Sequence, residues 1–295
     1  MAQSPAHKFG QIIGDTLELT LEPLLIGVAR KYNLYLDRKG KRIVRGKKKK
    51  VSWKDKYGNV HDLDYVFERD GTPKNIGTPL AFIEIAWRRY TKHSRNKAQE
   101  IQGAIVPLKE THCHSCPFIG VVLAGEFTKG SLDQLRSLNF AVLYFPYNTV
   151  IQAFRAVGID AHSSEKTPDA QFLKKIAAWN SLSQKKKEAA REKLRTLNNN
   201  EIQEFVQQLE LAITRQLVSV RVLPLHGAVV QWNLINDAIA FIENYQEDND
   251  SHPVIRYEIE LLYSNGDKIN GSFGNKLSAL QFLRDYECVI LTPAL

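Results

Sequence analysis

Val60-His61-Asp62-Leu63-Asp64-Tyr65-Val66-Phe67-Glu68-Arg69-Asp70-Gly71 and, after a short linker, Pro79-Leu80-Ala81-Phe82-Ile83-Glu84-Ile85-Ala86-Trp87-Arg88-Arg89-Tyr90-Thr91-Lys92-His93-Ser94-Arg95-Asn96-Lys97 combine apolar runs of strand length with isolated acids and a basic tail. Tyr65 to Phe67 and Leu80 to Ile85 are apolar runs of strand length, bounded by Asp70-Gly71-Thr72-Pro73 and Gly77-Thr78-Pro79; that pattern predicts two strands joined by a turn. Asp62 and Asp64 are two residues apart and are expected on one face of the first strand. Glu84 stands between Ile83 and Ile85 in the second. A carboxylate inside so apolar a run needs a partner or a task. Two carboxylates on adjacent strands with a backbone carbonyl between them suit a hard cation such as Mg²⁺, which keeps water ligands for substrate phosphate.

Asp64, then Glu84-Ile85-Ala86, with a basic helix-forming stretch behind, resembles the PD-(D/E)xK nuclease superfamily, which includes the type II restriction endonucleases. The resemblance covers roughly residues 10 to 160 and implies a metal site of Asp64, Glu84 and the Ile85 carbonyl, with Asp62 assisting. The family pattern has a lysine where this chain has Ala86. Three readings follow: Ala86 disables a nuclease that would otherwise carry lysine there, which is the favoured one; the lysine role has moved to Lys92 or Lys97; or the chain is a naturally inactive relative. The implied activity is Mg²⁺-dependent hydrolysis of double-stranded DNA, by a homodimer if the target is palindromic. A repair or transposition nuclease of the same fold is the alternative within the class, and a non-catalytic DNA-binding protein the one outside it.

Working outward towards the N-terminus, Arg38 to Lys50 holds nine basic residues and no acid, enough to account for the net charge of +8. The run is expected to be a loop too charged to pack. Arg42, Arg45, Lys47, Lys48, Lys49 and Lys50 would neutralise phosphates without reading sequence. Before it, Gln11 to Lys31 has helical periodicity, with a bend expected at Pro23. Glu18 and Glu22 on that helix are candidates to support a metal-bound water, as the resemblance implies.

Towards the C-terminus, Arg88, Arg89, Lys92, His93, Arg95 and Lys97 crowd the start of a helix from about Ser94 to Leu108, where they would hold backbone phosphates. Gln99 on the same helix could orient the site. His112-Cys113-His114-Ser115-Cys116 has zinc-ligand types, but the second half of such a site is missing and a loop is expected. Two buried strands alternating with two helices between Phe118 and Val157 imply parallel crossover units. The expected fold is α/β, a restriction-endonuclease-like mixed sheet flanked by helices. Residues 1–160 would form that core, 161–222 a helical arm, and 223–295 a small α+β module for DNA recognition or dimerisation, with Lys268, Asn270, Asn275 and Lys276 available to base edges.

At 295 residues and 43% hydrophobic content the chain can bury one substantial core plus a smaller unit. Its sequence lacks a run long enough for a membrane span and its first residues lack signal-peptide order, so no membrane partner is expected. Three cysteines fit a reducing, cytoplasmic setting better than a disulfide framework, and the resemblance to restriction enzymes implies a prokaryotic one.

Overall fold

In the computed structural model, which describes residues 4–91, 94–115, 117–225, 227–247 and 256–290, the first element is a long helix, α1 (Pro5–Lys31). Ser4 caps it by accepting from the His7 amide, and Pro5 supplies a φ already suited to the first turn. Pro23 does not divide it. The N–H that Pro23 lacks would have met the carbonyl of Leu19, whose position is 44% exposed and open to water.

The chain continues through β1 (Tyr35–Arg38), a basic loop with one 3-10 turn (Ile43–Arg45), β2 (Val51–Lys54), β3 (Val60–Leu63), β4 (Tyr65–Arg69) and β5 (Thr78–Arg88). Then come α2 (Ser94–Thr111), β6 (Phe118–Gly125), α3 (Lys129–Ser137), β7 (Ala141–Pro146) and α4 (Tyr147–Arg155). One five-stranded sheet has the order β1-β4-β5-β6-β7. Its β1/β4 and β4/β5 pairs are antiparallel and its β5/β6 and β6/β7 pairs parallel. The fold is therefore α/β with a mixed sheet flanked by helices. On β5, Leu80 to Ile83 are buried because helices cover both faces; Phe82 and Ala86 pack with Ala98, Ile101 and Ile105 of α2.

The stretch from Val60 to Phe67 is not one strand. Residues 60–63 pair with β2 in a separate two-stranded sheet, while 65–69 pair with β1 and β5. Asp64 is the residue between, so Asp62 and Asp64 do not share a face of one strand. β1 was hidden by its shortness and by the charged run behind it.

The expected arm is also different. α5 (Asp169–Ser181) packs on α1, and α6 (Gln184–Leu197) on α1 and α4, so these helices cover the first unit rather than projecting from it. They do so through Phe172, Ile176, Trp179, Ala190 and Leu194, an apolar set spaced for one helix face each. With α7 (Asn199–Ile213) they carry the first compact unit to Glu210 instead of residue 160.

The second unit, Leu211–Leu295 with His114–Cys116, begins before residue 223. β8 (Leu217–Pro224), β9 (Val230–Trp232), α8 (Ile235–Asn244), β10 (Tyr257–Tyr263), β11 (Lys268–Phe273) and α9 (Lys276–Ile290) form an antiparallel sheet, ordered β11-β10-β8-β9, with two helices. It reads as strand-strand-helix twice. Trp232, Ala238, Phe241, Ile242 and Tyr245 recur at one constant offset as Phe273, Ala279, Phe282, Leu283 and Tyr286. Glu243 and Arg284, equivalent positions on that alignment, pair with each other at 2.6 Å. Among the residues expected at base edges, Lys268 pairs with Glu260, Lys276 donates to the Tyr245 carbonyl and Asn275 accepts from the Ser278 amide; Asn270 is exposed. No helix among the described residues is long and apolar enough to cross a membrane.

Candidate active site

The β4–β5 ladder ends at Tyr65 opposite Ile83, and the next residue on each strand is an acid. Asp64 turns back across the end of the ladder, where its Oδ2 accepts from the Ile85 amide at 2.6 Å. In an extended strand a residue's N–H and C=O point to the same side, so the Ile85 carbonyl lies on the edge facing Asp64. Glu84 sits on the α2 face of β5, between the buried Phe82 and Ala86. From α2, Lys97 brings its Nζ to 3.4 Å from Glu84 Oε1 and 3.5 Å from Glu100 Oε2.

A third carboxyl comes from α1. Glu18 and Glu22, one helical turn apart, line a cleft of about 430 Å³ with Asp64, Arg38, Lys39 and Lys41. Burial, reinforced by the negative charge of Asp64 and Asp15, pushes the Glu18 carboxyl up to about 7. Burial raises Asp64 as well, against the Ile85 amide and the charges of Lys97 and Lys39. Glu84 is raised by burial and then by Asp64, with Lys97 opposing. Three acids are thus crowded into a poorly solvated space with too little positive charge to keep all of them ionised. A divalent cation would relieve that imbalance, and oxygen donors are what Mg²⁺ takes. Among the described residues no group of three or more His, Cys, Asp or Glu side chains is arranged to hold a metal ion. Asp64, Glu84 and the Ile85 carbonyl are the oxygen donors that could serve a hard cation here.

Not every expected residue belongs here. Asp62 bonds Lys50 Nζ and Ser52 Oγ, each at 2.6 Å, on the β2–β3 hairpin. Those partners hold its carboxyl below the usual range, opposite in sign to the three site acids. Position 86 belongs to the apolar core, with Ala86 only 4% exposed. Glu22 pairs with Arg38. Gln99 faces solvent.

The basic residues divide sharply. Arg42 is buried: it forks onto both oxygens of Glu68 at 2.6 and 2.8 Å, pairs with Asp37 at 2.8 Å, and donates to the carbonyls of Thr72 and Asn75. Arg45 bonds Asp37 and the carbonyls of Arg38, Gly40 and Lys50. Neither guanidinium is offered to a phosphate. Arg89 is half-buried, donating to the Ala6 carbonyl and lying 4.5 Å over the Phe172 ring. Arg88 reaches Glu100 at 3.7 Å. Lys47, Lys48, Lys49, Lys50 and Arg95 are exposed. Lys92, His93 and Cys116 lie outside the described residues. His112 packs at the edge of Trp53, with ring centroids 5.3 Å apart, and Cys113 is exposed.

Lys39 and Lys41, two further cations of the basic run, share the cleft with Asp64 and Glu18. Their signal was weak because each looks like one more member of a charged run.

No family model matches the chain, and no curated protein sequence matches it. Among solved structures, one described as "Crystal Structure of Protein of Unknown Function AF1548" aligns over 64% of this chain and 95% of its own, with 9% identity and a TM-score of 0.27. A likeness that low carries no argument about function.

Proposed function

We propose that this protein is a Mg²⁺-dependent endonuclease acting on double-stranded DNA, of the PD-(D/E)xK kind and similar in plan to type II restriction enzymes. The observation that carries the reading is the meeting of Asp64 and Glu84 at the end of one strand ladder, with the Lys97 ammonium at Glu84. Asp64, Glu84 and the Ile85 carbonyl would hold the cation. Bound there, Mg²⁺ supplies the charge that polarises a phosphodiester and lowers the pKa of an attacking water.

The chain's own groups do the rest. The Ile85 amide fixes the Asp64 carboxylate in one orientation and favours its ionised form. Lys97 supplies a positive charge on a rigid helix where negative charge grows on the phosphate oxygens, the role the family pattern gives to a lysine at position 86. This favours the migrated lysine over a disabled position 86. Glu18, at the cleft wall, is placed to hold a water on the open side. Of the cations expected at backbone phosphates, Lys47, Lys48, Lys49 and Arg95 are exposed and would meet them. A palindromic target would require a second copy, one active site for each strand.

The test is incubation of supercoiled plasmid with the full chain in Mg²⁺ and in EDTA, beside Glu84→Gln. Cutting that needs both Mg²⁺ and Glu84 is expected, with discrete bands if the enzyme is sequence-specific. Absence of cutting on methylated and unmethylated DNA, together with DNA affinity indifferent to Ca²⁺, would overturn the reading in favour of a non-catalytic DNA-binding protein.

A further inference from the structure

Segment 38–50 is a built structure rather than a solvated run. Gly40, at φ 142°, donates to the Lys49 carbonyl at 2.8 Å and closes the loop on itself. Inside, the Arg45 guanidinium gathers the carbonyls of Arg38, Gly40 and Lys50. Arg42 ties the loop to the sheet through Asp37 and Glu68, which are 3% and 0% exposed. The two arginines turn inward, and Lys39, Lys41, Lys47, Lys48 and Lys49 turn out. Holding that many ammonium groups on a fixed frame costs repulsion that a flexible loop would relax, and a polyanion is what offsets it.

We propose that this loop is a preformed cradle for the DNA backbone, whose Lys39 and Lys41 hold phosphates next to the one at Asp64 and Glu84, with Arg42 and Arg45 as positioning residues. The cleft supplies the placement. Lys39 and Lys41 line it together with Asp64 and Glu18. Lys97, from α2, stands at Glu84, the acid next to the end of the same ladder. The assignment of DNA rests on the nuclease reading; the phosphate chemistry of the loop does not.

The experiment measures affinity of the full chain for a fluorescent duplex of about 24 base pairs in Ca²⁺, across a salt series, for wild type, Lys39→Gln/Lys41→Gln and the control Lys174→Gln/Lys193→Gln. The control removes the same charge from exposed positions on α5 and α6. Expected is a loss of tenfold or more for the loop variant at one salt, with the salt slope falling by about two, and a change under twofold for the control. Equal losses in the two variants would reduce the effect to net charge and overturn the proposal, as would wild type that does not bind. Tighter binding to duplex RNA of the same sequence would overturn the assignment to DNA. A wild type that never cuts plasmid, with the loop variant still losing affinity, sinks the nuclease reading and leaves the cradle. A wild type that cuts, with a loop variant that binds and cuts as well, does the reverse.

Discussion

Lys97 Nζ stands 3.4 Å from Glu84 Oε1, reaching from α2 to a carboxylate on β5. A cation from the neighbouring helix thus already stands beside Glu84. Ala86→Lys would force a second ammonium into a space that is 4% exposed and packed against Ala98 and Ile101. It is expected to lose about 1–3 kcal/mol of stability through overpacking and desolvation, and to cut DNA no faster than wild type. Urea midpoints and plasmid assays on the two proteins check both statements; faster cutting by the lysine form would restore position 86 as the disabled one.

The acids make stability fall as pH rises. Glu18 has an ordinary value of 4.5 and about 7 in the fold, so the folded state binds its proton more tightly than the unfolded one does. Its contribution is intact below 4.5 and is lost as pH rises through about 7. Asp64 and Glu84 shift in the same direction. In EDTA, the melting temperature should drop between about pH 5 and 8, and Ca²⁺ should flatten that drop by favouring the ionised carboxylates. Glu18→Gln should remove part of the slope. A melting temperature that climbs through this window in EDTA would contradict the arrangement.

Cation binding should follow the geometry. Titration calorimetry with Ca²⁺ is expected to lose its signal in Asp64→Asn and in Glu84→Gln, to weaken less in Glu18→Gln, and to stay within about twofold for Asp62→Asn. The last follows from Asp62 being engaged by Lys50 and Ser52 on the hairpin. If Asp62→Asn were the damaging change, the metal site would belong on that hairpin.

Arg42 should matter for folding rather than for DNA. Arg42→Met leaves the buried Glu68 without its ion-pair partner and Asp37 with Arg45 alone, and is expected to cost about 3–5 kcal/mol. Lys48→Gln, on an exposed side chain of the same loop, should stay within about 0.5 kcal/mol of wild type. Denaturant midpoints separate the two.

The strand residues were legible because burial leaves a plain trace: Leu80 to Ile85 read as a covered strand, and Glu84 stood out by interrupting it. Asp64 was found by its neighbours, although its true position, at the switch between two sheets, has no mark in alternation alone. Asp62 was misplaced for that reason, since a face argument fails where the strand ends. The basic run misled in the opposite way. Composition marks nine cations as solvated, but it cannot show that Asp37 and Glu68 wait elsewhere in the chain to bury two of them. Lys97 could be named from spacing as one of two migrated candidates, yet only the packing of α2 on β5 brings its ammonium to Glu84. The boundary at 160 failed because α5 and α6 carry ordinary amphipathic patterns, which say that a face is covered and not by what.

The most direct test of the account compares wild type, Lys97→Met and Asp64→Asn in a single-turnover cleavage assay with Mg²⁺. Wild type is expected to cut, and each variant to be slower by a factor of about 10² or more, with Lys97→Met keeping its Ca²⁺ affinity while Asp64→Asn loses it. A Lys97→Met enzyme that cuts at the wild-type rate would contradict the account, because the ammonium at Glu84 would then have no part in the chemistry.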